Sequence, residues 1–194
     1  MHMSVNKTLL SFTLGCSMLA SSTAWSADYP NKAIRMIVPY SAGGGADNAA
    51  RIIAKALGDT LKQPIVIENK AGASGSIGAT QVARAPADGY TLLYDASSFS
   101  INPVLRKLPY DAKKDFIPVS QAVSVPNILV AATGSAFNSL PDFIKAARAN
   151  PGRYTYASYG PGSLAQMAAE LLKRDAKIDV VHVPYKGGAP AIVD

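Results

Sequence analysis

The chain has 194 residues, 48% of them hydrophobic and 16% charged, which is enough apolar material for a packed core and excludes a disordered segment. Its formal net charge of +6 comes from scattered lysines and arginines, in short pairs such as Lys113-Lys114 and Lys173-Arg174. A nucleic-acid binder carries a basic stripe with stacking aromatics, so this balance points to small anions instead and to no nucleic acid.

The N-terminus reads as a secretory leader. Lys7 supplies a positive start, Leu9 to Ala20 an apolar stretch, and Ser22-Thr23-Ala24 or Ala24-Trp25-Ser26 the small residues of a cleavage site, which places a signal peptide over residues 1–26. The single cysteine, Cys16, lies inside it. Thr13 stands where a lipoprotein signal wants a Leu-like residue, so lipid at Cys16 is not expected. The mature chain then has neither a disulfide nor a thiolate metal site, as suits a bacterial periplasm.

Ile34 to Val38 is a nearly continuous apolar run, the pattern of a strand covered on both faces. The loop Tyr40-Ser41-Ala42-Gly43-Gly44-Gly45-Ala46-Asp47 follows. It leads into a helix whose inward stripe is expected to be Ala49, Ile52, Ile53, Ala56, Leu57 and Leu61, with Asp47 or Asn48 as N-cap. A second strand, Ile65 to Glu68, enters a second glycine-rich loop, Ala71 to Ser76, then a helix from Ile77 to Ala85 and a third strand from Tyr90 to Tyr94. Alternation of this kind builds an α/β layer with right-handed crossovers.

Asp95 to Phe116 carries turn signals and reads as irregular. Between Phe116 and Val130 the apolar runs are broken by Pro118 and Pro126, which suits strands crossing between two lobes. A boundary therefore falls near 120–125, giving a first lobe over 27–122 and a second over 123–194. The second lobe repeats the pattern. It has a strand at Ile128 to Ala132, a helix from Leu140 to Ala149 capped by Ser139, and a strand from Tyr154 to Ser158. A glycine loop from Gly160 to Ser163 comes next, then a helix from Leu164 to Asp175 with Met167, Ala168, Leu171 and Leu172 inward. The last strand is Val180 to Val183. A further helix begins at Ala191 and the sequence ends at Asp194, so the second lobe is expected to be incomplete.

A strand that delivers the chain into a glycine-rich turn at a helix start exposes unpaired N–H groups and the positive end of the helix dipole, an anion site in outline. The phosphate-binding signatures are absent: neither loop ends in Gly-Lys-Ser/Thr, and Asn48 stands where a dinucleotide fingerprint needs glycine. Catalysis finds little support. Ser41, Ser158 and Ser163 sit in no nucleophile elbow, and His182, the one histidine beyond the leader, lies in an apolar strand where a hydrogen-bonded core histidine is the expected role. Asp47 and Glu68 read as a cap and a solvated strand end. No His/Asp/Glu cluster has metal spacing. Neither an enzyme, a metal nor a cofactor is expected.

The segments Val38-Pro39-Tyr40-Ser41-Ala42-Gly43-Gly44-Gly45-Ala46-Asp47, Glu68 to Gly75, Ala87 to Leu93, Leu108-Pro109-Tyr110-Asp111 and Val183 to Pro190 resemble the Bug, or TctC-like, family of solute-binding proteins of tripartite tricarboxylate transporters. The resemblance implies a type II periplasmic-binding-protein fold, two α/β lobes joined by crossing strands. It implies a monomer that captures a small carboxylate and delivers it to membrane permease subunits, or alternatively signals to a sensor kinase. Carried over, the first-lobe grip on the ligand is Tyr40, Ser41, Ala42, Gly43, Gly44 and Asp47. The second-lobe grip is Ser158, Gly160, Gly162 and Ser163, with Tyr185 and Gly187 nearby. Tyr159, Pro161 and Gln166 depart from the family's more usual Ser, Asn and His. A reading of another class is an exported hydrolase using Ser41 or Ser163.

Overall fold

The structure is a computed structural model that describes residues 28–194; the expected leader and Cys16 lie outside the described residues. The chain divides into Met1–Asn31 and Lys32–Asp194. Every described helix and strand belongs to the second of these units.

Strand β1 (Ile34–Val38) lies between β2 (Ile65–Asn69) and β3 (Thr91–Leu93), both parallel to it. Its central place accounts for its composition: Ile34, Met36, Ile37 and Val38 are buried, as a strand with both faces covered requires. Arg35 alone is exposed, and its guanidinium grips Glu68 on β2 at 2.7 and 3.0 Å. Helix α1 (Gly45–Leu61) connects β1 to β2, and α2 (Ser76–Ala83) connects β2 to β3. The order β2-β1-β3 makes the chain leave β1 toward one side and return on the other, so the loops after β1 and β3 diverge at one end of the sheet.

Two expectations for α1 are corrected. Its N-cap is Gly44, without a side-chain cap, while Asp47 sits one turn in and accepts the Gly43 N–H at 2.9 Å. The buried stripe is Asp47, Ala50 and Ala54, whereas Ile52 is 73% exposed and Ala56 is also on the surface. Pinning Asp47 inward fixes the rotation of the helix, because residues three and seven positions on share its face, and the small alanines bring α1 close to the sheet.

The stretch after β3, expected to be irregular, contains helix α3 (Ser98–Leu105), which tolerates Pro103 within its single pair of turns. The crossing strands expected between Phe116 and Val130, and the strand at Ile128 to Ala132, do not form. Ile117, Val119, Val125, Ile128, Leu129 and Val130 are all exposed. Apolar, β-prone sequence becomes a strand only beside a partner; none pairs here, and Pro118 and Pro126 lack the donors a ladder needs.

Helix α4 (Leu140–Ala149) starts as expected, with Ser139 Oγ accepting the Asp142 N–H. Strand β4 (Thr155–Ser158) pairs in parallel with β5 (Val181–Pro184), and α5 (Leu164–Ala176) joins them. A short helix, α6 (Gly188–Val193), follows. The second core gathers Ala147, Ala176, Ile178 and Val180 with Phe143, Tyr154 and Leu172. Of the residues expected inward on α5, Ala168 and Leu171 are exposed, because a two-stranded sheet covers only the side bearing Leu172 and Ala176.

Candidate ligand-binding site

In parallel α/β layers ligands lie beyond the carboxyl ends of the strands, and a cleft of about 180 Å³ opens at that end of β1, β2, β4 and β5. Tyr40 follows β1, Gly72 to Gly75 follow β2, Tyr159 to Pro161 follow β4, and Tyr185 and Lys186 follow β5. Pro39, Pro184 and Arg106, the last at the end of α3, complete the lining. Among the described residues no carboxylate lines this cleft, and the cationic side chains that line it are Arg106 and Lys186.

Tyr40 is buried and its hydroxyl donates to Asp95 Oδ1 at 2.7 Å, with Ser98 Oγ 2.5 Å away. The bond ties the loops that diverge after β1 and β3. Burial, then the neighbouring Asp95 carboxylate, push the Tyr40 phenol well above its ordinary range. Burial likewise raises Asp95, against hydrogen bonds from Tyr40, the Ala96 amide and Ser98 that favour its charge. Tyr40 is thus a neutral donor at neutral pH, and the Tyr159 ring packs edge-on against its ring, 6.4 Å between centroids.

The loop after β2 is the most constrained part of the lining. Gly72, Ala73, Ser74 and Gly75 all have positive φ, 132°, 46°, 54° and 92°, and two of them carry a Cβ that makes this region costly. Asn102 on α3 holds the turn by donating to the Ser74 carbonyl at 2.8 Å. Ser74 Oγ has no hydrogen-bond partner.

The model of the tripartite tricarboxylate transporter family receptor, TctC, matches residues 49–194. The chain belongs to this family. It is 40% identical over 173 residues to Protein BugT of Bordetella pertussis, covering 87% of this chain and 53% of BugT. It is 37% identical over 184 residues to a protein of the tcbD-tcbE intergenic region of a Pseudomonas species, covering 93% of this chain and 55% of that protein. The TctC chain therefore spans about half the length of the curated relatives it matches. Among solved structures it is similar to an R. palustris protein with adipate, at TM-score 0.83 and 37% identity, over 86% of this chain and 56% of that one. It is also similar to MatC of Rhodopseudomonas palustris with bound malate, at TM-score 0.76 and 33% identity, over 85% and 57%, and to the periplasmic binding protein BugD, at TM-score 0.76 and 34% identity, over 86% and 56%. The fold is that of periplasmic binding proteins, carried here over part of its length.

Within this TctC chain the residues anticipated from sequence fall into two groups. Tyr40, Gly160 and Tyr185 line the cleft. Ser41, Ala42, Gly43, Gly44, Asp47, Ser158, Gly162, Ser163 and Gly187 do not line it, and most of them organise the loops that do. Asp47 accepts from the Gly43 amide and Arg51 at 2.9 Å and from Asn69 at 2.9 Å. Burial works against its charge, but the Arg51, Gly43 and Asn69 donors outweigh that and hold its carboxyl down to about 2. Asn69 also donates to the Tyr40 carbonyl at 3.1 Å, so one carboxylate fixes the loop from Tyr40 to the helix.

The second-lobe loop is similarly self-contained. Gly160 N–H donates to Ser158 Oγ, Gly162 N–H to Gln166 Oε1 and Ser163 N–H to the Gly160 carbonyl, while Ser163 Oγ caps α5 by accepting from Gln166 N–H. Gly187 approaches the first loop so closely that a Cβ there would collide with Ser41 Oγ, and the Ser41 N–H donates to the Lys186 carbonyl at 3.3 Å.

The hydrolase reading finds no base for its serines. His182 pairs with Ser158, Nε2 to Oγ 2.7 Å, and with the Gln166 amide, not with Ser41 or Ser163. Ser158 is itself buried and already accepts the Gly160 N–H, and no carboxylate orients His182 through Nδ1 as a triad requires. Burial lowers the His182 pKa, Glu170 opposing and Lys173 assisting, which leaves a neutral ring stacked on Tyr156, 4.8 Å between centroids. Sequence reading passed over Ser74, Asp95 and Arg106, while Lys186 lies in the loop from Tyr185 to Gly188 that it set beside the grip. Ser74 lay in a glycine loop that was recognised, whereas nothing local marks Arg106, which arrives through an unexpected helix.

Proposed function

We propose that the protein is a periplasmic solute-binding protein that takes up a small organic carboxylate and passes it to the permease subunits of a tripartite tricarboxylate transporter. The observation that carries this reading is the cleft at the strand ends, walled by cations and hydroxyls and, among the described residues, lined by no carboxylate. Such a lining favours an anion and repels a cation. The relatives with adipate and with malate support a carboxylate as that anion, and the family's membership in tripartite transporters supports the permease as recipient. An exported protein with the leader at residues 1–26 fits the same role. Tyr40, Tyr185 and the loop of Gly160 are the ligand-facing part of the expected grip; Ser41 to Gly44, Asp47, Ser158, Gly162, Ser163 and Gly187 support it from behind.

Thermal unfolding against a panel of mono-, di- and tricarboxylates tests the reading. A ligand at 100 times its dissociation constant adds about 2.7 kcal/mol of stability, so at least one carboxylate is expected to raise the melting temperature by several degrees. A folded chain indifferent to every acid in the panel would overturn the assignment.

A further inference from the structure

Two buried hydroxyls in these loops have no partner, Ser41 Oγ and Ser74 Oγ, and only Ser74 belongs to a residue that lines the cleft. The amides of Ser41, Gly43, Gly160, Gly162 and Ser163 all have internal acceptors, and Pro161 has no N–H. Ser74 differs. Its side chain lines the cleft, the residue is only 9% exposed, and its Oγ has no partner. A buried hydroxyl without a partner is costly, and native proteins rarely keep one without use.

Arg106, also in the cleft wall, has donors to spare. One of its donors reaches the Pro161 carbonyl at 3.0 Å, and a guanidinium has five. Arg106 is the residue that ends α3, its amide bonded to the Asn102 carbonyl, and both side chains lie against Gly162. Asn102 holds the Ser74 carbonyl while Arg106 reaches the β4 loop, so a single helix brings hydroxyl and guanidinium to the same wall. Lys186, the other cation, stands on the β5 loop whose carbonyl meets Ser41. The cleft therefore has two cationic positions carried by different loops, and a guanidinium fork suits a carboxylate.

We propose that Ser74 and Arg106 form the seat for the second carboxylate of a dicarboxylate ligand, and that Arg106 sets the preference for diacids over monoacids. This rests on the carboxylate-binding reading above. Ser74 Oγ donates one hydrogen bond to the distal carboxylate and the Arg106 fork donates the charged ones, while the first carboxylate stays at the Lys186 side.

Calorimetric titration of the full chain with chain-matched pairs, succinate against butyrate and adipate against hexanoate, tests it. Wild type is expected to bind one diacid at least tenfold more tightly than its monoacid. Arg106→Gln is expected to erase that preference by weakening the diacid at least tenfold more than the monoacid; Ser74→Ala should likewise cost the diacid several-fold more than the monoacid. Arg106→Lys should recover part of the preference. Equal loss of both acids in Arg106→Gln, or no loss of either, overturns the seat while leaving carboxylate binding intact. If neither diacid nor monoacid binds wild type, the seat and the carboxylate reading fall together.

Discussion

Asp47 shows how a residue shapes a site it does not line. Its carboxylate gathers Gly43, Arg51 and Asn69, and through Asn69 it fixes the carbonyl of Tyr40. Replacement by alanine leaves the Gly43 amide and the Asn69 side chain without that acceptor and is expected to cost about 2–3 kcal/mol, read from the denaturant midpoint. The pH dependence has a definite sign. The folded carboxyl titrates near 2, against 3.8 for the ordinary side chain, so its ionised form is favoured by folding. The stabilisation is present above about pH 4 and is lost as pH falls toward 2, and Asp47→Asn should flatten the acid limb of the stability curve in that window. An unchanged acid limb in Asp47→Asn would show that another group controls it.

Among the elements, α2 is positioned by a glycine. A Cβ at Gly78 would stand 2.8 Å from Pro39 Cβ and 3.3 Å from its Cα, so the helix can lie against the end of β1 only without a side chain there. Alanine improves helix propensity by about 1 kcal/mol, yet overpacking costs about 1–3 kcal/mol. Gly78→Ala is therefore expected to lower the unfolding midpoint and to displace the turn of Gly72 to Gly75; a raised midpoint would contradict this packing.

Elements with local signals were legible in the sequence. Helix α4 has a serine cap and a proline in its first turn, β1 has its unbroken apolar run, and both lie where expected. What was not legible depended on distant partners. The rotation of α1 follows from Asp47 being drawn inward, the strand expected at Ile128 to Ala132 lacks a neighbour, and α3 is hidden by Pro103. In the site, the glycine loops announced themselves, but the left-handed conformation of Ala73 and Ser74 is imposed by packing against α3 and the β4 loop. Arg106 belongs to the site only because that helix exists.

At the scale of the molecule, the run from Ile117 to Val130 leaves a long series of apolar side chains on the surface of the described residues. Ile117 and Val119 are 87% and 86% exposed, and Ile128 80%. Contiguous apolar surface promotes association, and a β-prone run that pairs with no strand is open to pairing with another chain. The 194-residue chain is expected to self-associate at micromolar concentration, and the triple substitution Val119→Lys, Ile128→Lys, Val130→Lys to reduce the associated fraction severalfold in light scattering. Equal association of the two forms would place the sticky surface elsewhere.

The contact between the Ser41 amide and the Lys186 carbonyl, 3.3 Å apart, also makes the cleft sensitive to a position outside it. Gly187 lies so close to Ser41 that any side chain there pushes the two loops apart. Lys186, one residue away and part of the cleft wall, must move with that displacement. A glycine that never meets the cleft thereby sets where one of its cations stands.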